Sequence, residues 1–343
     1  MKKMILSLVA AIVAATATYA QSSVATLNHE NSISVFHGPT AFAEAMTAAV
    51  DGDMITLSSG TFAATDITKA VTLRGAGIRE DEVSGQYITT ISNSFYLNIP
   101  NSVTQKLSVE GIVFSGTITK KGVDIADATF NKCQFTTISC SGNTSSKAVN
   151  WTFTNCNITK QVSMPQGSTA KFINCRVLNP ATYQSDDNPA SLEFVNCIVV
   201  DNSSTGFQGS PALERCKFLN SFIFKTSTNS NAKALPASNE ANYCVGYDAL
   251  GTAPIFANIN QATNTNLTAE QYNALFKEGT FYELTDAAKA TYKGNDGEEV
   301  GLYGGVLPYS TRIMNPQITK CNVAKKTTTD GKLSVDIEVK AAE

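Results

Sequence analysis

Five short segments of this chain repeat one pattern at a nearly constant spacing, and that repeat limits the fold more than any other feature. Residues 130–135 (FNKCQF), 153–158 (FTNCNI), 172–177 (FINCRV), 194–199 (FVNCIV) and 213–218 (LERCKF) all read apolar-x-(Asn or basic)-Cys-x-apolar. The cysteines Cys133, Cys156, Cys175, Cys197 and Cys216 are 23, 19, 22 and 19 residues apart. Upstream, residues 109–114 (VEGIVF) fit the frame with Ile112 in the Cys position, and Asn242 to Val245 (NYCV) is a looser seventh copy. A period that wobbles by a few residues belongs to loops between strands, since helical heptads keep a fixed period.

Within each unit, period-two alternation turns the aromatic residue inward, the next outward, then reaches a turn residue, then buries Cys and another apolar residue. Strands this short bury no face alone, so successive units must stack about 4.8 Å apart with like residues in ladders. The chain is expected to be all-β, a right-handed parallel β-helix (solenoid) over residues 53–310. It resembles the pectate-lyase-like β-helix proteins, in which Asn commonly stacks at the bend between the second and third strands. Asn155, Asn174 and Asn196 match that position, while Lys132, Arg215 and Gly111 depart from it. The resemblance covers roughly residues 39–310 and speaks to fold far more than to activity.

An open solenoid exposes strand edges that need covering. In the N-terminal segment, residues 21–52, an apolar stripe at Phe42, Ala45, Met46, Ala49 and Val50 predicts a capping helix after Pro39. Near the other end, terminal helices are expected around 267–292, with Thr268 and Gln271 spaced as a capping box. Residues 301–309 (GLYGGVLPY) resemble the terminal coil of β-helix proteins secreted by Bacteroides-like bacteria. In the tail, 311–343, alternation at Leu333, Val335, Ile337 and Val339 predicts a closing hairpin paired with residues near Ile318 to Val323, with edge protection as its plain role and sorting or docking as the other. Residues 1–20 read as a cleaved signal peptide: Lys2 and Lys3, an apolar run from Met4 to Ala15, then Thr18 and Ala20 before Gln21. That run is too short for a transmembrane segment. The mature chain is thus expected in the periplasm, at the cell surface or outside the cell.

Eight cysteines in an exported chain usually suggest disulfides. Ladder neighbours about 4.7–4.9 Å apart at Cβ exceed the roughly 3.5–4.5 Å a disulfide prefers, so the five are expected to be buried small hydrophobes. No Cys-x-x-Cys pair or histidine cluster supports a metal site, and Cys140 and Cys321 fall outside the frame. Charged residues are 16% of the chain, while Thr 39, Ser 30 and Asn 28 together exceed a quarter of it. With a net charge of −3 and no basic stripe, nucleic acid is not an expected partner.

Polysaccharide-cleaving enzymes of this fold need several ionisable groups converging on one face. The implied lyase chemistry uses a basic residue with carboxylate-held calcium, and hydrolases use paired carboxylates. Asp186 and Asp187 are the weak catalytic candidates, with Arg176 the nearest base, but Asp186-Asp187-Asn188-Pro189 is more simply a turn. Asp124 shares the register of Asp187 yet lies three coils, about 14 Å, away. Arg176 and Lys217 share a ladder position in this frame, and Lys120-Lys121 sit at a bend; solvated surface charge is the plainer reading of each. His29 and His37 both precede the solenoid. Thr117, Thr119, Thr137, Ser139, Gln161 and Ser163 should line an outward face that hydrogen-bonds without transferring protons. Tyr183 is the candidate for stacking on a sugar. The resulting expectation is a non-catalytic β-helix that binds a polysaccharide or cell-surface glycan, or serves adhesion, without a cofactor. The alternative is a polysaccharide lyase or glycoside hydrolase, for which calcium would be needed in the lyase case.

Overall fold

The computed structural model describes residues 23–80, 87–100, 103–140, 146–183, 189–207, 213–229, 234–251, 254–259 and 262–313, and the backbone of 317–323 and 335–340. The segment 1–20, expected to be a signal peptide, and the candidates Asp186 and Asp187 lie outside the described residues. The rest is a parallel β-solenoid of about seven turns with three short helices. Each coil has three sides. Its first strand joins an 11-stranded sheet, and its second and third share a 12-stranded sheet that bends at an irregularity in register between Phe135 and Thr137. Gly116 sits at that bend one coil earlier, where a Cβ would stand 2.1 Å from the Asn93 backbone, so any larger residue would separate the coils.

The interior is built from ladders. Phe130, Phe153, Phe172, Phe194 and Phe218 are in register and stack at 4.7–5.1 Å with rings within 12° of parallel. Phe114 and Phe135 form a second stack on the next side, and Phe135 meets Phe130 and Phe153 edge to face. Offset stacks and T-shaped contacts of this kind add to what burial alone contributes.

The corner between the first and second sides sets the frame. Its turn residues, Gly111, Lys132, Asn155, Asn174, Asn196, Asn220 and Tyr243, all have φ between 49° and 68°. Asn and Gly tolerate this left-handed conformation best; Lys132 and Tyr243 hold it at a cost of about 1 kcal/mol each. The chain reverses its hydrogen-bonding direction here, and the N–H of the following residue has no strand partner. The next coil supplies one: Cys156 N donates to Cys175 Sγ at 3.3 Å, Cys175 N to Cys197 Sγ at 3.5 Å, and Cys197 N to Ser221 Oγ at 3.0 Å. Each thiol in turn donates to the carbonyl two residues back, as Cys156 does to Thr154 O at 3.3 Å. The cysteines are therefore small buried residues with a hydrogen-bonding duty as well.

This register corrects the frame at Cys216. Phe194 pairs with Phe218, so Ser221 follows Cys197 in the ladder, and Cys244 follows Ser221. Cys216 stands one corner earlier, level with Leu192. The mistake has a physical origin. Arg215 is also left-handed, at φ 55°, and the Cys216 thiol also bonds two residues back, to Glu214 O at 3.2 Å. The same local device occurs at two different corners. It follows that Arg215 is no member of the Asn row, that Asn220 is, and that Lys217 is level with Glu193, not with Arg176.

The first sheet is closed by a hairpin the repeat did not foretell. Val24–His29 and Ser32–His37 pair through a two-residue turn at Glu30 (φ 45°) and Asn31 (φ 70°), and the first of them runs antiparallel to Met54–Leu57. Two consecutive positive φ values give the hairpin twist that strands require. Helix Ala41–Ala48 buries Ala41, Phe42, Ala45 and Met46 as expected; Val50 lies past its end and is 48% exposed, not part of the plug.

At the C-terminal end, residues 267–309 fold back over the outer face of the second side, covering Leu178, Ile198, Val200, Phe222, Phe224 and Val245. The capping box at Thr268 and Gln271 opens helix Ala269–Asn273, and Thr285 caps helix Asp286–Thr291. This strap binds the Asn row. Asn174 Nδ2 donates to Leu302 O and Gly304 O at 2.7 and 2.8 Å, and Asn220 exchanges hydrogen bonds with Asn295 at 2.9 and 3.0 Å. Gly305 lies so close that a Cβ would be 2.1 Å from Asn196 Nδ2. Beyond it, Gln317–Val323 and Val335–Lys340 form an antiparallel two-stranded sheet of their own.

Two outcomes test these contacts. Cys175→Ala leaves the Cys156 N–H unpaired in the core and should cost roughly 1–3 kcal/mol. Cys175→Ser, which imitates Ser221, should cost clearly less; denaturant midpoints of the two variants check this. At the N-terminal hairpin, the hydrogen bond from His29 Nδ1 to Asp53 Oδ1 at 2.8 Å, reinforced by the carboxylate charge, raises the His29 pKa above the ordinary 6.5. Protonated His29 thus favours the docked hairpin below pH 6.5, and the contribution fades as pH rises through the raised pKa. Imidazole titration by NMR should show this upward shift, and Asp53→Asn should abolish it.

Candidate functional site

On the third side, outward residues of successive coils align in two rows. Thr117, Thr137 and Gln161 are in register, as are Tyr96, Thr119, Ser139, Ser163 and Ala181. Ile118, Ile138 and Val162 alternate with them and point into the core, which fixes the two rows outward. The expected ligand-binding residues Gln161, Ser163, Thr137 and Ser139 are therefore brought together on one face. Four coil spacings give it a length of about 19 Å. It deepens along its length, from Tyr96 at 41% exposed to Ser163 and Ala181 at 6% each.

Tyr96 is an exposed aromatic that sequence reasoning missed. Lys121 Nζ lies 4.7 Å from its ring centre and holds it at the shallow end of the face. Nothing in a single sequence separates it from core aromatics; its place in the outward row does. Tyr183, the sequence candidate, is 39% exposed, and its N–H is tied to Met164 O at the deep end.

The basic candidates are all engaged. Arg176 is held beneath the C-terminal strap: Nε donates to Tyr282 Oη at 3.3 Å, the guanidinium lies over the Tyr282 ring, and Nη1 donates to Ile158 O. Lys120 is buried and donates to Val123 O at 2.8 Å; burial lowers its pKa. Asn155, Asn174 and Asn196 form the corner row already described.

The structure brings together three ionisable groups that the sequence frame separated. Asp201, Lys225 and Asp248 occupy one row on successive coils. Lys225 Nζ stands 3.0 Å from Asp248 Oδ1, with both side chains closed off from solvent, so these two form an internal ion pair. Asp201 differs. It borders a cavity of about 120 Å³ whose other walls include Gln161, Asn179, Ala181, Ser203, Phe207 and Leu213. Ser203 N and Oγ both donate to Asp201 Oδ1 at 2.7 Å, and burial raises the carboxyl pKa above its usual range. The cavity thus opens at the deep end of the outward face, through Gln161.

A wider concavity of about 430 Å³ lies on the outer face of the first side. Its charges pair among themselves in rows, Lys171 with Glu193 at 2.9 Å and Lys217 with Glu240 at 3.8 Å, on open surface. Among the described residues, no group of three His, Cys, Asp or Glu side chains is placed to hold a metal ion, and no helix is long and apolar enough to cross a membrane. No protein-family model, curated protein or solved structure matches the chain.

Four of the buried thiols are chemically quiet. Burial raises Cys156 and Cys197 well above the ordinary thiol value, and pushes Cys216 and Cys244 up to about 12. Alkylation at pH 8 should therefore leave these four unmodified until the chain is unfolded, as peptide mass mapping would show.

Proposed function

We propose that this protein is an exported β-helix of the pectate-lyase-like class that binds an extended glycan along the two outward rows between Tyr96 and Ala181. The left-handed Asn corner and three-sided coils support the class, and the residue pattern at 1–20 supports export, with the mature chain at the cell surface or outside. One observation carries the binding reading: neutral hydroxyl and amide groups repeat at the coil spacing on a shallow-to-deep face with an exposed Tyr at one end. An extended polysaccharide repeats its hydroxyls on a similar length, so several sugars can meet equivalent groups at once. Neutral donors and acceptors hydrogen-bond hydroxyls without moving protons, which is binding chemistry.

Adhesion to a glycan-bearing surface is the role this supports. Isothermal titration against a panel of neutral glycans and polyuronides, with and without calcium, tests it. Tyr96→Ala removes the stacking platform and Thr137→Arg obstructs the middle of the face. Each should weaken binding at least fivefold without changing the far-UV circular dichroism. Binding untouched by both would remove this face from consideration. Release of unsaturated sugars from a polyuronide would establish the lyase instead.

A further inference from the structure

The cavity at Asp201 has features that a plain hydroxyl-binding face does not need. Its volume of about 120 Å³ is well below the roughly 300–1,000 Å³ of a pocket enclosing a whole small-molecule ligand, so it suits a substituent of a few atoms. Asp201 is 4% exposed, and among the described residues its carboxylate accepts two hydrogen bonds, both from Ser203 to Oδ1. The other carboxylate oxygen, Oδ2, accepts no hydrogen bond among the described residues and is free to take one from a group entering the cavity. Facing it are apolar walls, Phe207 and Leu213 at 1% exposed and Ala181 at 6%. At the mouth, the Gln161 amide makes no hydrogen bond among the described residues.

One acceptor deep inside, an apolar wall and an amide donor at the entrance match a single small group: an N–H, a methyl and a carbonyl in one plane. We propose that this cavity receives the acetamido group of an N-acetylated amino sugar in the bound glycan. The inference rests on the glycan-binding reading of the outward face and names its substrate class. The acetamido N–H donates to Asp201 Oδ2, the methyl packs on Phe207 and Leu213, and the carbonyl accepts from the Gln161 amide. A hydroxyl in place of the acetamido group leaves the apolar wall uncovered and the acceptor poorly reached.

Three trisaccharides with one β-1,4 backbone separate the possibilities: triacetylchitotriose, cellotriose and fully deacetylated chitotriose, titrated calorimetrically against the full chain. Triacetylchitotriose should bind at least tenfold tighter than the other two. Asp201→Asn should reduce that preference to within about threefold, because Ser203 holds the remaining oxygen and turns the amide nitrogen, a donor, toward the acetamido N–H. Ala181→Val, which narrows the cavity without touching a charge, should do the same, and keeps the test valid if the Asp201 variant fails to fold. Equal binding of cellotriose and triacetylchitotriose, still sensitive to Tyr96→Ala, would overturn the acetamido site and leave the glycan face standing. Tightest binding of the deacetylated sugar would overturn it in favour of ammonium recognition by the carboxylate. Binding of none of the three, or of any neutral glycan, would overturn both readings.

Discussion

The structure depends on how one backbone N–H is satisfied at the first corner of the middle coils, at Cys156, Cys175 and Cys197. A solenoid coil must turn sharply there, and the left-handed residue that makes the turn leaves the next N–H aimed along the stacking axis, away from its own strand. A buried N–H without an acceptor costs about as much as one residue's place in the core contributes. The acceptor comes from the coil above, as Cys175 Sγ, Cys197 Sγ or Ser221 Oγ. The position therefore needs a residue small enough to fill the corner and polar enough to accept. Cys and Ser meet both demands, and Ile112, where the ladder begins, meets only the first.

That constraint explains what could be read directly from the chain. The Phe-x-Asn-Cys units announce the ladder, the turn and the coil length together, and the capping box at Thr268 is written in two residues. The repeat frame breaks where a local motif recurs at a different place in the coil. Arg215 and Cys216 reproduce the corner chemistry at another corner, so counting from Cys216 displaced every residue after it. Counted from Ser221 and Cys244, Asp201, Lys225 and Asp248 each fall four residues beyond the ladder position of their coil, and the buried row becomes visible in the sequence. The hairpin at 24–37 carried its own signal in the alternation of Val24 to His29. Its Glu30-Asn31 turn lacks the glycine that usually marks such turns.

The candidate site was legible only in part. Thr137, Ser139, Gln161 and Ser163 follow from alternation and lie together. The strap over the second side does not follow, because residues 267–309 meet the solenoid through contacts far apart in sequence, such as Asn174 with Leu302. That strap decides the function of the surface. It covers the apolar outer residues of the last coils, takes Arg176 out of play beneath Tyr282, and leaves the third side of the middle coils as the open polar face. Gly301 and Gly305 belong to this contact: with Phe222 already against the first and Asn196 against the second, only backbone fits.

Native-state hydrogen exchange at the corner amides tests the central claim most directly, since it reads each N–H individually. The account predicts that the amides of Cys156, Cys175 and Cys197 are protected to the same degree as the strand amides of Phe153, Phe172 and Phe194. Exchange of these three amides at the rate of exposed loop residues, while the strand amides stay protected, would contradict it.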